Sequence, residues 1–280
     1  MAKSYEELQY TDDFMFGNVM EDKELCRDVL ECLLQEPVGI LQDVQTEQRF
    51  QHTSDGKPIR LDVYTKDNRA IYDAEMQNLN RKKVENLELP KRVRFYQSMV
   101  DVDFLARGNS YRLLPECKVL FLCTFDPFRL GLPQYIFENR CVQNTELSLY
   151  DGTYKYFYNC TAPTDDLPEP MKALYEYIAT GKAANPLTRR IEFAVNKARQ
   201  NEKWRSEYMK EWILFDDART EGIQQGREEG RRQERLDGVR GFILDKLEDN
   251  TDKETILSKL QKVFSITRKE AEDYWNQIVQ

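Results

Sequence analysis

Alternation of apolar and polar side chains is sharpest between residues 59 and 77. Two segments, Ile59-Arg60-Leu61-Asp62-Val63-Tyr64-Thr65 and Ala70-Ile71-Tyr72-Asp73-Ala74-Glu75-Met76-Gln77, flank a polar break at Lys66-Asp67-Asn68-Arg69. Both are rich in β-branched and aromatic residues, which predicts two strands joined by a tight turn. Arg60, Asp62 and Tyr64 then share one face of the first strand. Asp73, Glu75 and Gln77 share a face of the second, with Tyr72, Ala74 and Met76 on the other. A four-residue turn sets Asp62 opposite Asp73 and a two-residue turn sets it opposite Glu75. Either register leaves Asp62 and Glu75 on one face.

Upstream, residues 12–35 read as a helix through Phe14, Phe16, Val19, Met20, Leu25, Val29, Leu30 and Leu33. Thr11 or Asp12 caps it, Pro37 and Gly39 end it, and a break at Asp22 would make two shorter helices. Val44–Phe50 reads as a first strand. After the hairpin, Arg81–Leu105 predicts a helix carrying Leu87, Leu89, Val93, Phe95, Met99 and Val100, with Pro90 in its first turn. Residues 118–125 are almost wholly apolar, as befits a strand covered on both faces at the centre of a sheet. Because a helix precedes it, this strand can run parallel to an earlier one. Leu132–Phe137, Glu146–Tyr150 and Tyr154–Tyr158 read as further strands, the last two forming a hairpin about Asp151-Gly152.

Residues 162–170 have the composition of a linker, and beyond them the pattern is helical: Met171–Gly181, Leu187–Gln200 and Glu202–Glu221. Gly222, Gly226 and Gly230 then recur among paired Glu and Arg residues. Each costs about 1 kcal/mol relative to alanine in a helix, and together they make a smooth stripe that another helix could approach. Short helices follow at Val239–Glu248, Asp252–Phe264 and Thr267–Ile278, the last with a Thr267/Glu270 capping box. The chain thus divides into an α/β core (1–162), a helical segment packed on it (163–218) and a helical tail (219–280) for oligomerisation or regulation.

A net charge of -8 argues against a wholly basic surface that coats nucleic acid, but leaves room for a local basic groove. The six cysteines have no CxxC spacing and read as reduced thiols, and the one histidine, His52, cannot supply a His-rich metal cluster. No run reaches the ~20 apolar residues of a membrane span, and no signal peptide heads the chain, so the expectation is a cytoplasmic protein without membrane contact.

Two or three carboxylates converging across a hairpin, with directly opposed Cβ atoms about 5 Å apart, repel one another unless a cation lies between them. A hard divalent ion with oxygen ligands, most simply Mg²⁺, meets that need. An amphipathic hairpin with its polar face in water gives the same pattern. Asp13, in the first turn of its helix, is placed to favour the helix dipole, or to stand at the rim of such a site. The basic run Arg81-Lys82-Lys83 and the helix start with Lys91, Arg92 and Arg94 could hold a phosphate backbone near the ion.

The order of these motifs resembles a known family. Thr11-Asp12-Asp13-Phe14-Met15-Phe16 precedes Arg60-Leu61-Asp62-Val63 and Asp73-Ala74-Glu75-Met76-Gln77. A helix with Arg94-Phe95-Tyr96-Gln97-Ser98, the strand Val119-Leu120-Phe121-Leu122 and a Gly-x-x-x-Gly tail follow. This is similar to the Rpn recombination-promoting nucleases, also called PD-(D/E)XK nuclease family transposases, over roughly residues 10–235. The resemblance implies a restriction-endonuclease-like mixed sheet flanked by helices and Mg²⁺-dependent cleavage of DNA phosphodiesters, with Mn²⁺ able to substitute. It implies metal ligation by Asp62, Glu75 and the Met76 carbonyl; Asp13 and Asp73 are candidate additional acids by their position. Gln77 falls where many such nucleases carry lysine. An amide neither gives up a proton nor supplies charge, so Gln77 can only orient water, and deprotonation falls to water activated by the ion or to a substrate phosphate. Lys91, Arg94 and Tyr96 would contact substrate.

The expectation is therefore an oligomeric, dimeric DNA endonuclease of recombination, transposition or defence. The competing expectation is a catalytically decayed DNA-binding or scaffold protein that assembles through its tail. Acids on opposite faces of the sheet, or either acid locked in a buried pair with an arginine, would count against phosphodiester chemistry.

Overall fold

The computed structural model describes residues 3–51, 58–78 and 88–279; His52 and Arg81-Lys82-Lys83 lie outside them. Six strands, β1 (Gln45–Phe50), β2 (Ile59–Lys66), β3 (Ala70–Gln77), β4 (Glu116–Cys123), β5 (Gln134–Phe137) and β6 (Thr153–Asn159), form one mixed sheet in the order β1-β2-β3-β4-β6-β5. The first three make an antiparallel meander, β4 runs parallel to both β3 and β6, and β5 returns antiparallel on β6.

Helices cover both faces. On one side lie α1 (Asp13–Met20), α2 (Lys23–Leu34), and, beyond the sheet in sequence, α4 (Glu169–Thr180) and α5 (Pro186–Arg199). Their apolar stripes meet Tyr72, Ala74 and Met76 of β3, Leu120 and Leu122 of β4, and Tyr158 of β6. On the other side α3 (Glu88–Phe104) brings Val93, Tyr96 and Val100 against Ile71, Val119, Phe121 and Phe157. Successive residues of a strand serve opposite faces, so β4, sandwiched between two cores, is apolar nearly throughout. Asp22 accepts hydrogen bonds from Glu24 N and Leu25 N at 3.0 Å, which starts α2 and resolves residues 12–35 into two helices.

The hairpin adopts the narrower turn: Asp67 N donates to Ala70 O at 3.0 Å, leaving Asn68 and Arg69 at the tip. Tyr64 then faces Asp73, and continuing the ladder by two residues brings Asp62 opposite Glu75. Asp67 fastens this turn. Its carboxylate accepts from Arg69 N (2.7 Å), Ala70 N (2.8 Å), Gly39 N (2.7 Å) and the Tyr72 hydroxyl (3.1 Å). A Cβ on Gly39 would stand 2.8 Å from that carboxylate, so only glycine fits there.

Two sequence expectations need correction. Glu146–Tyr150 is not a strand paired with Tyr154–Tyr158; only an isolated bridge joins Arg140 and Ser148. Both edges of β6 are already taken by β4 and β5, and Leu147, Leu149 and Tyr150 stay exposed. Nor is Val239–Glu248 a separate helix. It continues α6 (Glu202–Glu248), which runs for 47 residues through Gly222, Gly226 and Gly230, none of them at positive φ.

Residues 1–208 and 209–280 form two compact units, divided within α6. In the first, Trp204 and Tyr208 pack on the core of α4 and α5. In the second, the end of α6 joins α7 (Lys253–Phe264) and α8 (Arg268–Val279) around Val239, Ile243, Ile256, Leu257, Leu260 and Ala271. The capping box is formed, with Thr267 N donating to Glu270 Oε2 at 2.7 Å and Glu270 N to Thr267 Oγ1 at 3.3 Å. No helix of the described residues is long and apolar enough to cross a membrane.

Burial alone would raise the Asp67 pKa, but its donors outweigh burial and hold it below the ordinary carboxylate range. A depressed folded pKa stabilises above the unfolded value and loses that contribution as pH falls through the folded one. Asp67→Ala is expected to lower unfolding free energy near neutral pH by about 2 kcal/mol, the deficit shrinking in acid, as read by denaturant titration at several pH values.

Candidate active site

A cavity of about 750 Å³ opens where the ends of β2 and β3 meet the start of α3. Asp13, Asp62, Glu75, Met76, Gln77, Lys91, Arg92 and Tyr96 all line it, joined by Phe95, Phe125 and Phe128 as an apolar wall. The hairpin thus delivers its two acids to one place, as the alternation requires.

The carboxylates are tied to the backbone. Glu75 Oε1 accepts from Asp62 N at 2.9 Å, and Asp62 Oδ2 accepts from Met76 N at 3.1 Å. Each acid therefore spans to the other's strand. This exchange stands in place of ladder pairs, for the β2–β3 register ends at Val63 and Ala74. On the outer side β1 distorts at the same level: Glu47, which would face Asp62, adopts φ 53°, in the left-handed region that a non-glycine residue enters at a cost of about 1–2 kcal/mol. At this level of β2, Leu61 and Tyr64 reach the same core cluster while Val63 joins the opposite one.

Asp62, Asp73 and Glu75 are all buried, at 7%, 0% and 2% exposure. Their pKa values are pushed well above the carboxylate range. Burial is the main cause for each, reinforced at Asp62 by Glu75 and Asp13, at Asp73 by Asp62, and at Glu75 by Asp73. Asp13 is raised by burial as well, against the pull of Arg60. Arg92 meets these acids by contact, its Nη2 3.1 Å from Glu75 Oε2, and Arg60 pulls on Asp62 through space. The Arg92 guanidinium sits over the rings of Tyr96 and Phe121, 5.3 and 5.2 Å from their centroids. Neither oxygen of Asp73 has a hydrogen-bond donor among the described residues when all three acids are ionised. Asp73 and Glu75 share a hydrogen bond once one of them is protonated, and that bond raises Glu75 further while it pulls Asp73 back down.

The predicted substrate contacts divide. Lys91 and Tyr96 line the cavity, but Arg94 does not; it is exposed on another face of α3. Arg92 takes the place assigned to it. The signal was present, because Arg92 lies four residues before Tyr96 and so on the same helix face, whereas Arg94 is two away. Gln77 also differs from expectation: its Nε2 donates to the Met76 carbonyl at 2.9 Å, turning toward the backbone oxygen foreseen as a ligand.

Among the described residues no group of three or more His, Cys, Asp or Glu side chains is arranged to hold a metal ion. Two carboxylates and one backbone carbonyl remain, and their oxygen chemistry suits a hard divalent cation. Of the two adverse signs, opposite faces is absent and a buried arginine pair is present, at Glu75. The five buried cysteines, Cys26, Cys32, Cys117, Cys123 and Cys160, are free thiols away from the cavity lining.

An acid with a raised folded pKa destabilises the fold as pH climbs, because the unfolded chain releases its proton from about pH 4 while the folded one still holds it. Asp73→Asn, which mimics the protonated acid, is expected to raise the melting temperature at about pH 8 in the presence of a chelator and to leave it nearly unchanged at about pH 5. No family model, curated protein or solved structure matches the chain.

Proposed function

We propose that the protein is a divalent-metal-dependent phosphodiester hydrolase acting on DNA, built on a restriction-endonuclease-like core. The observation that carries this reading is the convergence of Asp62, Glu75, the Met76 backbone and Gln77 with Lys91 and Arg92 in one cavity. The order helix, three-stranded meander, helix, strand, with β3 and β4 parallel, supports it, as does the resemblance of the motifs.

Asp62, Glu75 and the Met76 carbonyl would hold the ion. When bound, it would polarise a phosphate oxygen and lower the pKa of water, the two services this chemistry needs. The chain's own residues do the rest. Lys91 and Arg92 place positive charge where a phosphate would develop negative charge. Gln77 donates or accepts one hydrogen bond to water and cannot act as a base. The Phe125 and Phe128 wall excludes solvent from one side of the cavity and so strengthens the field within it. The Glu75–Arg92 pair does not neutralise the site, since Asp62 and Asp73 are buried beside it.

That same pair, with the Gln77 amide on the Met76 carbonyl, favours a second reading: a decayed site in a DNA-binding or scaffold protein that assembles through its helical tail. Incubation of plasmid with purified protein and Mg²⁺ or Mn²⁺ separates the two. Nicking is expected from the wild type, and Asp62→Ala and Glu75→Ala are each expected to slow it by at least about 100-fold. Equal cleavage by all three proteins would expose a contaminant, and intact plasmid throughout would favour the scaffold.

A further inference from the structure

The inference concerns Arg92 and rests on the metal-dependent reading above. Glu75 has two oxygens: Oε1 is held by Asp62 N at 2.9 Å and Oε2 by Arg92 at 3.1 Å. The first contact is part of the strand pairing, while the second comes from a different element, across the cavity. Arg92 engages Glu75 through one nitrogen, not as a bidentate fork, and its buried Nε has no hydrogen-bond partner among the described residues. Arginine's strongest grip on a carboxylate is the paired one, so this contact leaves donor capacity unspent. The guanidinium is otherwise steadied by ring faces, which tolerate sliding better than a directed bond does.

We propose that Arg92 is the resident counter-ion of Glu75, and that a divalent cation and the guanidinium compete for this carboxylate. Metal entry would free the Arg92 donors inside the cavity, where a phosphate oxyanion can accept them. The charge that Gln77 cannot supply from β3 is thereby supplied from α3, and it is delivered only once metal has entered. Arg92 is thus a positioning residue in the empty site and a substrate contact in the filled one.

The test is calorimetric titration of Mn²⁺ into the full chain at about pH 8, with melting curves with and without Mn²⁺. The proteins are wild type, Arg92→Gln, Arg92→Met (whose apolar stem preserves packing if the amide does not fold) and Lys91→Gln. Removing the competing charge is expected to tighten Mn²⁺ binding about tenfold in either Arg92 variant, while Lys91→Gln, which loses a cation that does not touch Glu75, shifts it less than about threefold. Metal-free Arg92 variants are expected to melt lower than wild type and to recover most of the loss with Mn²⁺. Mn²⁺ binding by the variants alone also supports competition. Equal or weaker affinity in a folded Arg92 variant, with wild-type binding intact, overturns this proposal and leaves the metal reading standing. Absence of binding in all four proteins removes both.

Discussion

Three buried carboxyl groups, one of them in contact with the Arg92 guanidinium, are the constraint around which the candidate site is built. Withdrawing such charges from water is costly, and the fold offsets the cost locally. Asp62 and Glu75 reach across to each other's backbone N–H groups, and Arg92 adds one charge. Among the described residues Asp73 meets no donor apart from a proton shared with Glu75. A sheet built only for stability would carry valine or threonine at these positions, since apolar replacement of buried ions is often neutral or favourable. Retaining acids at positions 62, 73 and 75 points to a use for them.

The scaffold places this charge with few parts. A narrow turn, fastened by Asp67, sets the register that aligns Asp62 with Glu75. The crossover through α3 returns the chain parallel to β3 and lays Arg92 and Tyr96 over the same strand ends. Helices on the opposite face hold the sheet through residues of the other parity, so the acids and the main core do not compete for the same positions.

Much of this was legible in the sequence because it follows from periodicity. Strand alternation put Asp62 and Glu75 on one face, and the unbroken apolar run at 118–125 marked the central strand. The Thr267/Glu270 box marked the start of the last helix. What was not legible depends on partners distant in the chain. Glu146–Tyr150 alternates like a strand, but whether an edge is free to receive it is decided by β4 and β5. Val239–Glu248 read as a helix of its own, but no residue between it and the glycine stripe turns left-handed, so α6 runs through unbroken. Arg92 rather than Arg94 faces the acids because Val93, Tyr96 and Val100 turn that helix face to the core, a rotation that the four-residue spacing of Arg92 and Tyr96 did carry. The left-handed backbone at Glu47 has no local signal, since it answers to the geometry of the neighbouring strand.

That bend at Glu47 bears on more than the acids beside it. β1 is an outer strand of the sheet, and an outer strand offers unsatisfied amides to any stray extended chain. A residue turned out of the pleat in mid-strand, with charged Arg49 close by, interrupts that row of amides. The distortion beside the acids is thus also of the kind by which outer strands discourage pairing with a second chain.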